Sequence, residues 1–274
     1  MISATGIELR AGARVLIESA TFRVAKGDRI GLVGRNGAGK TTLTKCLAGE
    51  GTPAAGQITR SGEVGYLPQD PRTGDLDVLA RDRILSARGL DVLLKKMRDN
   101  EQRIANGQGA TREKALRQYE RQETEFLTKG GYAAEAEAAT IAAALNLPDR
   151  VLGQPLHTLS GGQRRRIELA RILFSDADTL LLDEPTNHLD ADSIIWLRDY
   201  LKTYRGGFIV ISHDVDLVET VVNKVFYLDA NRAQIDVYNM GWKLYQQQRE
   251  ADEKRRKRER QNAEKKAAAL HSQA

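Results

Sequence analysis

The segment RIGLVGRNGAGKTTLTKCLAG, residues 29–49, holds a short apolar run, a glycine-rich stretch and a second apolar pattern in direct succession. The run RIGLV is typical of a buried strand, and the apolar residues after the glycines recur at helical spacing until Gly49. Between them, the pattern G-x-x-x-x-G-K-T extends from Gly34 to Thr41. The segment therefore predicts a strand, a tight loop and a helix whose start can bind an anion.

The glycines of this loop allow it to curl so that successive backbone N–H groups point inward at phosphate oxygens. The helix behind the loop adds roughly half a positive charge at its N-terminus. We expect the Lys40 ammonium to reach the β- and γ-phosphates of a nucleotide and the Thr41 hydroxyl to bind Mg²⁺. The predicted nucleotide-binding residues are Gly34, Arg35, Asn36, Gly37, Ala38, Gly39, Lys40, Thr41 and Thr42.

The stretch TLLLDEP, residues 179–185, places two acidic residues directly after an apolar run that predicts a strand. At the end of that strand the Asp183 carboxylate can hold the Mg²⁺ shell. Glu184 follows and is placed to polarise the water that attacks a γ-phosphate. Phosphoryl transfer requires mainly positioning and charge stabilisation, so these two acids are sufficient for it. Without the other motifs, the same pair of acids is also compatible with an exposed turn.

A second glycine-rich helix start occurs in LSGGQRRR, residues 159–166. Ser160 and the two glycines after it precede the helical pattern RRRIELARILF, so this segment also predicts an anion-binding helix start. We expect the arginines at 164–166 to lie on the helix surface or to pair with acids. An ATPase with one self-contained nucleotide site has no evident use for two such helix starts.

The order of these motifs resembles that of the ATP-binding cassette (ABC) family over about residues 2–247. Gln69 in YLPQD matches the family's Q-loop, Asp190 in NHLD its D-loop, and His213 in VISHD its switch histidine, while LSGGQ matches its signature. The resemblance implies that two cassettes close head to tail. The signature of one would then cap the γ-phosphate held by the Walker loop, the glycine-rich loop of residues 34–41, of the other.

The resemblance also implies how the residues divide between two composite sites, with ATP and Mg²⁺ as cofactors. Glu184, His213 and Gln69 would be the catalytic residues, and Thr41, Gln69 and Asp183 would hold the metal. The residues that serve in cis would be Lys40, Thr41, Gln69, Asp183, Glu184 and His213. The residues that serve the partner's ATP in trans would be Ser160, Gly161, Gly162 and Gln163.

The remaining patterns predict an α/β fold: a P-loop NTPase cassette with a RecA-like parallel sheet, an N-terminal antiparallel β subdomain and an inserted helical subdomain. From residue 160 onward strand and helix patterns alternate, and we expect the chain to end in a final small sheet. Helical spacing over about residues 76–172 predicts the helical subdomain. It includes an arm-like hairpin broken at NGQG, whose second helix has the apolar stripe Leu116, Tyr119 and Phe126. We assign residues 1–247 to the cassette and 248–274 to a charged helical linker or tail.

Composition excludes a membrane-spanning protein. The chain is 41% hydrophobic with a mean hydropathy of −0.47, and no apolar run approaches the roughly 18 residues that a spanning helix needs. The N-terminus lacks a signal-peptide pattern, and the single Cys46 fits a buried position in a reducing compartment. We therefore expect a cytoplasmic protein. Of its formal charge of +5, residues 249–266 contribute nine Lys/Arg against five Asp/Glu, so the basic character belongs to the tail.

Three kinds of ABC protein compete for this cassette. Chromosome-maintenance and repair ATPases place a long coiled coil between Walker loop and signature, and the 120 residues between Lys40 and Ser160 exclude them. DEPTNHLD, the long helical insertion and the charged run after VYNMGW resemble the ABC-F family, twin-cassette proteins of the ribosome that include antibiotic-resistance factors. Actinobacterial members labelled macrolide-transport ATP-binding proteins are the most similar. The alternative is the ATPase subunit of a drug or macrolide transporter, paired with separate membrane subunits.

The basic tail predicts a linker helix that contacts rRNA, with a plain solvated helix as the alternative. It lacks the broad apolar face of a membrane-surface helix, and basic side chains on a long helix bind a polyanion without sequence specificity. The expected partners are therefore the ribosome with its rRNA and a second cassette. The second cassette would come from a homodimer or from a missing C-terminal half of a twin-cassette protein.

The adenine-binding region departs from the family pattern. Typical cassettes stack adenine on an aromatic residue before the Walker loop, whereas Phe22 is the sole aromatic in residues 1–33 and its strand position indicates a core role. Arg10 or Arg14 is available instead. Base stacking contributes about 1–3 kcal/mol, so we expect weak selection of ATP over GTP.

Overall fold

The computed structural model describes residues 1–70 and 74–271, with only part of the side chains from residue 253 onward. The strands are β1 (Ile2–Ala11), β2 (Arg14–Val24), β3 (Arg29–Gly34), β4 (Ala55–Arg60), β5 (Val64–Leu67), β6 (Thr179–Asp183), β7 (Gly207–Ile211), β8 (Lys224–Asp229) and β9 (Gln234–Tyr238). The helices are α1 (Lys40–Ala48), α2 (Ala80–Leu85), α3 (Leu90–Asn106), α4 (Gly109–Thr128), α5 (Gly131–Ala144), α6 (Asp149–Leu152), α7 (Gly161–Phe174), α8 (Ala191–Thr203), α9 (Val215–Val221) and α10 (Trp242–His271). Across these residues no helix is both long and apolar enough to cross a membrane.

Six strands form the central sheet, in the order β5-β6-β7-β3-β8-β9. The first five are parallel, and β9 pairs antiparallel with β8 at the edge. Every residue of β6 and β7 is buried, because helices and the second sheet cover both faces of the parallel sheet. The two strands are apolar except for Thr179 and Asp183 at the ends of β6. The expected parallel core is confirmed. The expectation of a small final sheet is wrong, because β8 hydrogen-bonds alongside β3 and makes the last two strands part of the central sheet.

The N-terminal strands form a three-stranded antiparallel sheet in the order β2-β1-β4, which confirms the expected β subdomain. Its buried residues share one core with α1 and with one face of the central sheet. The pairing of β1 shifts between Ala4 and Ile7, which keeps both side chains buried despite the odd spacing. Here the strands approach closely: a Cβ at Gly56 (φ +80°) would lie 2.2 Å from the carbonyl oxygen of Gly6, so only glycine fits.

The helical subdomain follows β5, the edge strand of the central sheet. Within the subdomain, α3 and α4 form the expected antiparallel hairpin. On α3 the buried stripe consists of Leu90, Leu93 and Met97 and continues with the polar residue Asn100. The Asn100 amide donates a hydrogen bond to the Gln122 Oε1 of α4 at 3.0 Å. The Asn100 Nδ2 is thus paired across the hairpin, whereas its buried Oδ1 has no hydrogen-bond partner among the described residues.

The stripe of α4 differs from the expected one at a single position. Phe126 is buried and Tyr119 is partly buried, but Leu116 is 46% exposed. Ala115 takes the inward position instead, because it lies eleven residues before Phe126, three helical turns, whereas Leu116 is turned away by about 100°. Helical phase rather than side-chain size decides which of the two neighbours faces α3.

The last helix is docked on the central sheet by aromatic contacts at its first two turns. Tyr245 is 6% exposed, and its ring lies 5.0 Å from that of Tyr238 and 5.3 Å from that of Trp242. The Arg249 guanidinium stacks 3.9 Å from the centroid of the Tyr227 ring. α10 therefore begins inside the span that we assigned to the cassette and runs across the boundary at residue 247. Residues 272–274 of the predicted linker lie outside the described residues.

We predict that Phe126→Ala destabilises the protein strongly, whereas Leu116→Ala on the same helix does not. The Phe126 ring is 1% exposed and packs edge-on against Tyr132 at 5.4 Å, so its removal leaves a cavity. The free energy of unfolding should fall by about 3–5 kcal/mol for Phe126→Ala and by less than about 0.5 kcal/mol for Leu116→Ala. Urea denaturation of both variants measures this. Equal losses would show that the hairpin faces are assigned wrongly.

Candidate functional site

The loop between β3 and α1 presents its backbone to an open cleft. Gly39 occupies the position before the first helical residue with φ +104°, and no side chain caps the helix there. Its backbone cannot carry a side chain without crowding, since a Cβ would lie 3.0 Å from the Leu16 Cδ1. At the other end of the loop, a Cβ on Gly34 would lie 2.8 Å from the carbonyl oxygen of Leu228. The loop thus keeps its shape through close packing, and the start of α1 stays free to bind an anion.

Lys40 lies across this loop. Its Nζ donates hydrogen bonds to the carbonyl oxygens of Gly34 at 2.9 Å and Arg35 at 3.3 Å. Burial lowers the pKa of the Lys40 ammonium, and the nearby carboxylates of Asp183 and Glu184 act against that shift. The ammonium is therefore a positive charge held between the loop and the acids at the end of β6.

Thr41 and Asp183 join the start of α1 to the end of β6. The Thr41 Oγ1 donates to the Asp183 Oδ2 at 2.8 Å. Burial raises the pKa of the Asp183 carboxyl, while the Thr41 hydrogen bond and then the charges of Arg165 and Lys40 lower it. Together with Gln69, which lines the same cleft, these residues bring a hydroxyl, a carboxylate and an amide to one place. Oxygen donors of this kind fit Mg²⁺.

Glu184 and His213 meet at the ends of adjacent parallel strands. Glu184 is 6% exposed and adopts φ +52°, an unusual backbone conformation for a residue with a side chain. The backbone N–H of His213 donates to its Oε2 at 3.3 Å, and the imidazole Nε2 lies 3.3 Å from its Oε1. Burial raises the pKa of Glu184, and the hydrogen bond from His213 lowers it. The carboxylate is thus oriented by His213, whose own side chain is mostly exposed.

A cleft of about 460 Å³ brings together most of the residues predicted to act in cis. From the predicted set it is lined by Asn36, Gly37, Gly39, Lys40, Thr41, Thr42, Gln69, Asp183, Glu184 and His213. Gly34, Arg35 and Ala38 do not line it; the first two hold Lys40 through their carbonyl groups. The cleft is also lined by Ala11, Arg14 and Leu16. Of the two arginines considered for stacking on the adenine base, Arg14 lines the cleft, whereas Arg10 pairs with Glu8.

The signature segment does not line this cleft. Ser160 begins α7 with a reciprocal cap: its Oγ accepts from the Gln163 N–H at 3.2 Å, and its own N–H donates to the Gln163 Oε1 at 2.9 Å. Gly161 and Gly162 lie in the first turn. Gly161 is exposed, with open space where a Cβ would lie, whereas Gly162 is partly buried beside His188. The structure therefore separates the residues predicted to act in trans from those predicted to act in cis.

The D-loop residue Asp190 has a structural role in this chain. Its Oδ1 accepts from the Ser193 N–H at 2.9 Å and caps α8, and its Oδ2 accepts from the Asn146 amide at 3.0 Å. These hydrogen bonds, the one from Ser193 first, lower the pKa of the Asp190 carboxyl. The D-loop is thereby tied to the end of the helical subdomain.

A family model described as "ABC transporter" matches residues 17–187, which include the Walker loop, the signature and both acids. The chain belongs to the ATP-binding cassette family. The members of this family are ATPases that bind ATP, so the enzyme class expected from the sequence is confirmed.

Two relatives indicate which branch of the family this cassette resembles. It is 34% identical over 267 residues to the tylosin resistance ATP-binding protein TlrC of Streptomyces fradiae, covering 94% of this chain and 47% of the relative. It is also 34% identical over 224 residues to the energy-dependent translational throttle protein EttA of Mycobacterium tuberculosis, covering 81% of this chain and 39% of the relative. The expected resemblance to ABC-F-type proteins is confirmed. The chain spans less than half the length of these relatives.

A solved structure supports the fold of the cassette. The ATP-binding cassette MJ0796, in a dimeric post-hydrolysis state bound to ADP and Pi, superposes with a TM-score of 0.60 at 16% identity. The superposition covers 87% of this chain and 98% of that one. At this identity the likeness concerns the fold alone, and it confirms the fold class.

The arginines after the signature correct one expectation. Arg165 is 7% exposed and donates hydrogen bonds to backbone carbonyl groups instead of lying on the surface or pairing with an acid. Arg166 also donates to carbonyl groups, those of Leu145 at 3.3 Å and Asn146 at 3.2 Å. A signal for Arg165 was present: it shares a helix face with the apolar residues four and seven positions later.

We predict that Ser160→Ala lowers the free energy of unfolding of the cassette by about 1 kcal/mol, because the side chain caps α7. Ser160→Asn keeps an acceptor at the cap and should stay close to the original stability. Chemical denaturation of the two variants checks this. A Ser160→Ala variant as stable as the parent would show that the reciprocal cap does not contribute to the fold.

Proposed function

We propose that the cassette hydrolyses ATP at sites shared between two cassettes and that it acts on the ribosome, in translation regulation or antibiotic resistance. The observation that supports hydrolysis best is the convergence of Lys40, Thr41, Asp183 and Glu184 in one cleft. A phosphate-binding loop, a metal-binding pair and a water-orienting acid are the parts that phosphoryl transfer to water requires.

In this proposal the Walker loop binds the phosphates through its backbone N–H groups and through the Lys40 ammonium. Thr41, Asp183 and Gln69 would hold Mg²⁺, which neutralises charge on the transferred phosphoryl group. Glu184 orients and polarises the attacking water, and its carboxylate is held in place by His213. Since the charge that develops is stabilised by groups already in position, little reorganisation is needed during the reaction.

A second cassette would complete each site. In the described part of the chain, the nucleotide cleft has no group on its open side from the signature segment, and Ser160–Gln163 would close the cleft of a partner. The dimeric state of the solved cassette supports this arrangement. A homodimer or a second cassette in a longer chain would serve equally, and a lone cassette would bind ATP but hydrolyse it slowly.

The action on the ribosome rests on two supports. The relatives named as a translational throttle protein and as a tylosin resistance protein point to translation and to tylosin resistance. The α3–α4 hairpin and the basic helix α10 are long exposed elements of the kind that can reach a large polyanion. On α10, Lys254, Arg255 and Arg258 are exposed. Lys254 pairs with Glu250, and Arg255 with Asp252 and Glu259, in exposed ion pairs that can exchange for contacts with phosphate groups.

The test uses the Glu184→Gln variant, which should trap ATP because it keeps the size of the side chain but removes the charge that polarises water. We expect it to sediment with ribosomes through sucrose in the presence of ATP and to remain behind without ATP. Lys40→Met provides the matched control: it should neither bind ATP nor sediment. Failure of a Glu184→Gln variant that binds ATP would favour a transporter subunit or a requirement for the second cassette, and adding that cassette separates the two.

A second prediction concerns the base. Because Arg14 lines the cleft and no Phe, Tyr or Trp of the described residues does, ATP and GTP should be bound with affinities within about tenfold of each other. Arg14→Ala should weaken both by about fivefold, a stacking loss of about 1 kcal/mol. The matched variant Arg10→Ala should change neither, and isothermal titration calorimetry measures all three. A hundredfold preference for ATP would contradict the assignment.

A further inference from the structure

Arg165 is a buried cation at the junction of three segments. Its Nη1 donates to the carbonyl oxygens of Gln69 and, at 3.3 Å, of Pro68. Its Nη2 donates to those of Asp183 at 3.0 Å and Glu184 at 2.8 Å. One guanidinium on α7 thus joins the Q-loop to the end of β6.

The acceptors of Arg165 are main-chain groups, which sets it apart from an ordinary ion pair. Among the described residues no carboxylate hydrogen-bonds to it. Burial lowers the pKa of the Arg165 guanidinium, and the nearby charges of Asp183, Asp70 and Glu184 act against that shift. A planar fork with five N–H donors can engage two separated pairs of carbonyl groups at once, whereas a lysine ammonium presents a single nitrogen. The geometry therefore suits arginine in particular.

Glu184 shows what this arrangement holds. Its backbone is in the left-handed region at φ +52°, which costs about 1 kcal/mol or more for a residue with a side chain. The peptide group before its Cα is held by the hydrogen bond from the Glu184 N–H to the Ile211 carbonyl at 2.8 Å. The peptide group after it is held by Arg165. Ile211 and Arg165 together maintain the conformation that points the Glu184 carboxylate toward His213.

Arg165 is also five residues from Ser160, roughly 7 Å along the axis of the same helix. A helix moves as a rigid body over that distance, so a shift of the signature segment displaces the guanidinium. Any such displacement reaches both the Q-loop and the peptide group after Glu184.

We propose that Arg165 is a positioning residue that couples the signature of this cassette, which serves the partner's nucleotide, to the placement of Gln69 and Glu184 in its own site. The coupling rests on the proposed function, because it requires Ser160 to contact a nucleotide in trans. The fixing of the two segments by Arg165 does not depend on it.

The arginines at 164–166 provide a matched set of variants. Arg166 donates to the helical subdomain, and the Arg164 side chain has no hydrogen bond or ion pair within the described residues. Hydrogen–deuterium exchange of the 274-residue chain should therefore become faster in residues 64–70 and 183–189 for Arg165→Met. Arg166→Met should instead speed up the exchange of residues 141–147. Arg164→Met should leave the exchange of all three segments unchanged. Unchanged exchange in either of the first two segments of Arg165→Met would overturn the proposal.

ATP turnover provides a second test, because a positioning role changes kcat and KM to different extents, whereas a purely structural role does not. For Arg165→Met we expect kcat to fall about ten- to hundredfold, because misplacement of a catalytic group costs that much. KM for ATP should stay within about twofold of that of the parent chain, because Arg165 does not line the nucleotide cleft and its loss removes no contact with the substrate. Arg165→Lys should recover part of kcat. Equal losses in the three methionine variants, or a KM that rises as far as kcat falls, would overturn the proposal.

The two proposals fail in different ways. If the parent chain hydrolyses no ATP at any concentration, the proposed function fails, and the exchange measurement still decides whether Arg165 holds the two segments. If Arg165→Met does not fold, as judged by its thermal melt, the exchange of Arg165→Lys decides instead. That variant should exchange faster than the parent in residues 64–70 and 183–189, and identical exchange would overturn the proposal.

Discussion

The parallel pairing of four neighbouring strands, β5, β6, β7 and β3, is the constraint on which the rest of the structure depends. Parallel strands end at the same edge of a sheet, so the loops after them meet there although they are far apart in sequence. Gln69 follows β5, Asp183 and Glu184 follow or end β6, His213 follows β7, and the Walker loop follows β3. The nucleotide cleft is the common edge of these strands, and its chemistry follows from what each strand delivers to that edge.

Concentrating charge at this edge creates a problem that the structure resolves with cations and backbone groups. Asp183 and Glu184 are both buried, and burial raises the pKa of each carboxyl. Lys40 balances them from the cleft side and Arg165 from the opposite, buried side. Arg165 acts on the main chain and so leaves the carboxylate oxygens available for a metal ion and water. A direct ion pair would have neutralised the acids but would also have occupied the oxygens that hydrolysis needs.

The helical subdomain determines where the signature segment lies relative to the nucleotide cleft. It positions Ser160 at the start of α7, with the cap to Gln163 closed and the helix start free, but away from the cleft of its own cassette. Asp190 and Arg166 tie the same subdomain to α8 and to the end of α5. These polar contacts add to a continuous apolar core, in which buried residues of the helical subdomain pack together with those of the central sheet.

Local sequence alone determined the Walker loop, the strands before the acids and the hairpin of the helical subdomain. These features depend on glycine content, on apolar periodicity and on helix breaks, which act over a few residues. Only the tertiary structure decided that β8 and β9 extend the central sheet, that Ala115 and not Leu116 faces α3, and that Arg14 rather than Arg10 lines the cleft. Arg165 is the clearest case: its helical phase, shared with Leu169 and Ile172, indicated an inward position, but only the tertiary structure brings its guanidinium to the ends of β5 and β6. Its partners are backbone carbonyl groups, which every residue carries, so no side-chain pattern can identify them in advance.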